Sequence, residues 1–213
     1  MLITKCGSFS YKHSLFQKVC LTYEINMVAL ATVLSFGIAS AQTGLGFQAG
    51  YSMHKSTQKD SKALNGFHVG PTYEMGIQGP ISLQYGLLYN FATRSENSVS
   101  LTSHALDIPV RVAATFPVGN SLSAFVFGGP NFNIGLSNNL KVGDVSTDLY
   151  KDTEIAGVTI KGMSRFDLQL GLGAGLKYNN MGVRVSYDFG MLNRVKDVDS
   201  KVNDLKVGLF YNF

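Results

Sequence analysis

Apolar and polar residues alternate with a period of two through most of the chain after residue 42, the signature of half-buried strands. In "MGVRVSYDFGM", residues 181–191, Met181, Val183, Val185, Tyr187, Phe189 and Met191 fall on one face. Gly182, Arg184, Ser186, Asp188 and Gly190 fall on the other. "FDLQLGLGAGLKY", residues 166–178, repeats the pattern, with Asp167, Gln169, three glycines and Lys177 opposite an apolar row. "VNDLKVGLFYNF", residues 202–213, does so again, carrying Leu205, Val207, Leu209, Tyr211 and Phe213 on its apolar face. Five further segments read as strands: 43–53, 64–77, 80–92, 102–116 and 121–136. Pro71, Pro109 and Pro130 interrupt three of them and predict local bulges.

Eight strands need seven connections. Those around Gln78-Gly79, at "PVGN" and at "NN" are short turns of Gly, Asn and Pro type. The other four, at 54–63, 93–101, 137–165 and 193–201, are longer and polar. Short and long alternate strictly. That predicts an all-β chain, an eight-stranded antiparallel up-and-down transmembrane β-barrel with short periplasmic turns and longer outer loops.

Composition moves the reading in the same direction. Charged residues make up 15%, while there are 23 Gly, 14 Phe and 10 Tyr, a balance suited to β structure whose surface is not entirely wet. The net charge of +4 shrinks without residues 1–41, which carry Lys5, Lys12 and Lys18 against Glu24. No dense basic stripe appears, and nucleic acid is not an expected partner. "MVALATVLSFGIASAQ", residues 27–42, is an apolar run ending in small residues, and Ala39 and Ala41 mark a secretory cleavage site. The run is too short for a spanning helix. Two domains follow: a leader over 1–41 and the barrel over 42–213. Cys6 and Cys20 both lie in the leader, so the mature chain is expected to hold no disulfide.

The polar face decides between solvents. It is crowded with glycines, among them Gly50, Gly171, Gly173, Gly175, Gly182 and Gly208, where a water-facing sheet would carry Thr, Lys and Glu. An eight-stranded barrel has an interior just wide enough for side chains to fill it. Small residues there make room for polar ones such as Gln48, His68, Gln84, Asn90 and Asn131. The acids Glu74, Asp107, Asp167 and Asp188 balance the bases Arg111, Lys177, Arg184 and Lys206, as buried charges must be paired. The expectation is therefore inside-out: a polar, charge-paired interior and an apolar exterior. Aromatics near strand ends (Tyr51, Tyr73, Phe91, Phe116, Tyr178, Tyr211 and Phe213) would form interfacial girdles.

"LDIPVRVAATFP", "FVFGGPNFNIGL" and "FDLQLGLGAGLKYNNMGVRVSYDFGMLN" together resemble the small outer-membrane β-barrel proteins typical of Bacteroidetes. The resemblance spans the mature chain and implies the outer membrane of a Gram-negative bacterium, but no particular activity. Leu209, Tyr211 and Phe213 resemble the C-terminal signal read by the outer-membrane assembly machinery, the expected partner besides lipid.

Candidate chemistry is sparse. Ser103 and His104 are adjacent, and adjacent strand residues point to opposite faces, so with Asp107 they make a poor nucleophilic triad. His54 is expected at the first loop and His68 inside, too scattered for a metal site. "GLGAG", residues 171–175, lies mid-strand with no helix after it and is read as barrel packing. The segment 137–165 is the best candidate for binding, since functional surfaces sit on loops. The expectation is a monomeric barrel with a plugged interior and a structural or surface-interaction role, with no catalytic residue, metal or cofactor. Alternatives are a small-solute channel, a lipid-modifying barrel enzyme or a soluble lipocalin-like binder.

Overall fold

The structure is a computed structural model that describes residues 44–213, apart from 59–60, 97–98, 144, 156–157, 161 and 196–199, and the backbone alone over 153–155 and 158–160. Ala39, Ala41, Cys6 and Cys20 lie outside the described residues.

Among the described residues twelve strand segments follow one another: β1 (Leu45–Ser56), β2 (Leu64–Gln78), β3 (Ile81–Gly86), β4 (Leu88–Glu96), β5 (Val99–Pro117), β6 (Leu122–Val142), β7 (Val145–Asp148), β8 (Thr153–Ile155), β9 (Val158–Ile160), β10 (Phe166–Tyr178), β11 (Met181–Gly190) and β12 (Val202–Asn212). β3 and β4 are one strand interrupted at Leu87, and both lie between β2 and β5. Pro71 of β2 explains the break. Its carbonyl accepts from Leu87 N at 3.0 Å, but it has no N–H to return.

The ring closes through β1, which pairs antiparallel with β2 on one side and with β12 from Gly46↔Asn212 to Ser56↔Val202 on the other. Eight strands thus form the wall: β1, β2, β3 with β4, β5, β6, β10, β11 and β12. Closure removes the edges that an open sheet would expose. The two-residue turns at 79–80 and 179–180 sit at the same end as 118–121. Gly79 and Asn179 take φ of 57° and 50° there, the left-handed region that Gly and Asn tolerate.

The opposite, loop end departs from expectation. Residues 93–101 are almost entirely strand, because β4 runs to Glu96 and β5 starts at Val99. β6 likewise continues to Val142, with β7 paired to its end, and β8 and β9 form a separate hairpin. Register shifts occur at Gly76/Gln78 and His104/Ala105, and none falls at Pro71, Pro109 or Pro130. Instead, Val110 and Arg111 of β5 and Gly129 and Pro130 of β6 are unpaired with each other, immediately beyond the Pro109↔Asn131 pair. At the second shift, Leu136 is an extra residue in β6, and it moves the buried positions from Asn131 and Asn133 to Asn138.

The wall is inside-out. Val183, Val185 and Tyr187 are 48%, 44% and 38% exposed, whereas Asp188 is 1% exposed. Tyr51, Phe67, Phe91 and His104 stand in one cross-strand row near the loop end. Tyr73 with Tyr85, and Tyr211 with Phe213, form ring pairs toward the turn end. The ten residue steps from Phe67 to the exposed Ile77 span about 33 Å of strand, or about 25 Å of height at a tilt of ~40°, the thickness of the apolar band of such barrels.

Candidate functional site

Parity along each strand sends one set of side chains inward, and three layers result. The middle layer is ionic. Lys206 of β12 reaches Asp107 of β5 at 2.7 Å, Asp188 of β11 at 3.0 Å and Asp204 of its own strand at 3.7 Å. Arg111 of β5 pairs with Asp188 and donates to the carbonyl of Gly129. These five side chains, from three strands, are 5% exposed or less. Gly171 faces the pair: a Cβ there would strike the Arg111 guanidinium and the Asp188 carboxylate. Asp204 also accepts from His54 Nδ1 at 2.6 Å and Gln169 Nε2 at 3.0 Å. Asn133 Nδ2 donates to Asp107 at 2.6 Å.

The layer toward the turns mixes apolar and polar groups. Phe125, Phe127 and Ala113 are buried and Phe210 packs on them, with Phe125 and Phe210 edge to face at 5.6 Å. Gly173, Gly175 and Gly182 lie against the rings of Phe127, Phe125 and Phe210. The glycines therefore accommodate aromatic rings as well as the polar groups expected of them. Arg184 stacks over Phe127 at 4.0 Å and donates to Gln48 Oε1 at 3.3 Å. Glu74 accepts from Ser82 at 2.7 Å, Gln84 at 3.1 Å and Asn212 at 3.3 Å. A cavity of about 70 Å³ remains, bordered by Glu74, Lys177, Arg184 and the ionic layer.

The expected eight-residue network is therefore divided. Asp107, Arg111, Asp188 and Lys206 come together. Asp167 lies apart with Arg194 at 3.5 Å, and Glu74, Lys177 and Arg184 form no ion pair among the described residues. Asp204, His54 and Arg194 are members that the reading of the chain did not include. Asp204 shares parity with Lys206 and was accessible by that rule. His54 lies in β1, not in a loop. Arg194 follows β11, where alternation has ceased.

The layer toward the loops is a mouth. Tyr150, from the long segment after β7, is buried with its ring against Gly135. Arg165 lies 4.6 Å from the ring centre, and Arg194 donates to the Tyr150 hydroxyl at 3.4 Å and to Asn133 Oδ1 at 2.5 Å. Backbone bonds from Leu149 N to Asn138 O and from Ser164 N to Arg194 O, each 2.8 Å, tie the loop segments to the wall and to each other. At the rim, Lys62 bonds Glu96 and holds its carboxyl below the usual carboxylate range.

Ser103, His104 and Asp107 are not assembled. Ser103 borders the mouth and Asp107 lies in the ionic layer. His104 faces outward and shares a 2.6 Å hydrogen bond with the Tyr89 hydroxyl beside Phe91. His68 is fully buried as expected, accepting from Gln48 Nε2 at 2.9 Å. No group of three or more His, Cys, Asp or Glu able to hold a metal occurs among the described residues.

A closed eight-stranded ring with an apolar outside and an ionic inside defines a transmembrane β-barrel, and barrels of this kind belong to the outer membrane of Gram-negative bacteria. The outer membrane protein beta-barrel domain family matches residues 39–195, and the chain belongs to that family. Its backbone is similar to that of the outer membrane enzyme PagL (TM-score 0.52, 15% identity, covering 78% of this chain and 99% of that one). It is also similar to Neisserial surface protein A (TM-score 0.51, 12% identity, covering 80% and 98%). At such identities the likeness is one of fold. A comparison with curated protein sequences finds no match.

Proposed function

We propose that the chain is a non-conducting, non-catalytic monomeric barrel that acts at the cell surface through its loop end, with a structural or binding role. The observation that carries this reading is the ionic layer. Five charged side chains from facing strands interlock across the interior, with the Phe125, Phe127 and Phe210 rings packed toward the turns. The separation of Ser103 from His104 supports the non-catalytic part. The outward Leu209, Tyr211 and Phe213 of the closing strand are proposed as the element that the assembly machinery reads. In planar lipid bilayers the folded chain is expected to give no steady conductance. Regular single-channel openings by the unmodified protein would overturn the plug and favour a small-solute channel.

A further inference from the structure

A second cavity of about 300 Å³ lies under the mouth, between the loop ends of β1, β4, β5 and β6. That is the size at which small-molecule sites begin, about 300 Å³. Three of the four basic groups around it are neutralised from behind, Arg194 by Asp167, His54 by Asp204 and Lys62 by Glu96, and the fourth, Arg94, donates to the Lys62 carbonyl at 3.2 Å.

Its polar floor is different. Asn90 is 2% exposed, yet neither its Nδ2 nor its Oδ1 has a hydrogen-bond partner among the described residues. The Oδ1 of buried Asn138 is likewise unpartnered. A buried amide without partners is costly, so these atoms mark where a ligand would be held. Ala92, on the same face of β4, and Ala105, opposite Asn90 in the ladder, line the space beside the amide with methyl groups. Ser103 borders the same space nearer the mouth.

We infer that this cavity binds a neutral saccharide unit, with a vicinal diol on the Asn90 carboxamide and the C–H face of the sugar ring on Ala92 and Ala105. A carboxamide offers a donor and an acceptor side by side, and each hydroxyl of a diol is both. A purely apolar ligand would leave the amide unpaired. A strongly charged one meets a wall whose cations mostly have their counter-charges already. No aromatic platform lines the cavity among the described residues, so binding is weak, with Kd on the order of millimolar. The site does not depend on whether the barrel conducts, so a failure of binding and a failure of the plug are read by different experiments.

The test is saturation-transfer NMR on the folded chain in nanodiscs, against empty nanodiscs, with the methyl glycosides of glucose, galactose and mannose as probes. At least one is expected to give a saturable signal. Asn90→Leu, and separately Ala105→Leu, which fills the space but keeps the amide, should each weaken binding about tenfold or more. Both variants are first shown to retain heat-modifiable gel mobility, and Asn90→Gln serves as the conservative replacement should Asn90→Leu not fold. Three results would overturn the inference: no signal from any glycoside up to about 100 mM, binding unchanged in the folded variants, or tighter Asn90-dependent binding of benzamide, which would assign the site to carboxamides.

Discussion

At the scale of single residues, the barrel is governed by what a narrow interior does to charge and volume. Lys206 is shared by three carboxylates, so removing it leaves uncompensated acids in a buried layer. Lys206→Met is expected to lower unfolding stability by about 3–5 kcal/mol, measured by urea unfolding in detergent or lipid vesicles. A loss below about 1 kcal/mol would mean that water already screens the cluster, as it does exposed pairs. Volume acts as sharply. A Cβ at Gly173 would strike the Phe127 ring and the Val185 carbonyl, so Gly173→Val should prevent the folded gel form. Because the ring is one of the two obstacles, Phe127→Ala in the same chain should recover part of that folded fraction. No recovery would show that the backbone of β11 alone sets the limit.

At the scale of elements, strands carry the fold and the β8–β9 hairpin does not. Among the described residues its two strands pair with each other and with no strand of the wall, and at its neck Asp152 Oδ1 accepts from Gly162 N at 2.8 Å. Replacing residues 153–160 by a short Gly-Ser linker should therefore leave heat-modifiable mobility intact, checked by electrophoresis of boiled and unboiled samples. Loss of the folded band would make the hairpin part of the folding unit. The same contrast explains what was legible from the chain alone. Period-two alternation placed the wall strands because lipid meets one face and the packed interior the other. Beyond the membrane both faces of a strand meet water and the alternation fades. Residues 93–101 therefore read as a loop although nearly all are strand. Pro71 was visible, but its effect, a break at Leu87 on the neighbouring strand, required the register of β2 against β3 and β4.

For the whole molecule, the question is which solvent each face meets. Parity with Lys206, opposite to Leu205 and Val207, places Asp204 inside, but its partner His54 is reached only through the closing pairing of β1 with β12. The linkage of Arg194 to Asp167 and Asn133 likewise needed the segment after β11 to fold back over the mouth. The inward Phe125, Phe127 and Phe210 show where hydrophobicity alone misleads, since an interior this narrow is filled with rings wherever facing glycines leave room. In the outer membrane the exposed apolar residues lie against acyl chains. Because both cysteines precede residue 42, replacing Cys6 and Cys20 by serine allows single spin labels on Val183→Cys, Val185→Cys and Tyr187→Cys in a reconstituted bilayer. Collisions with dissolved oxygen should exceed those with a water-soluble nickel chelate at all three positions. Dominant nickel collisions there would contradict a lipid-facing wall.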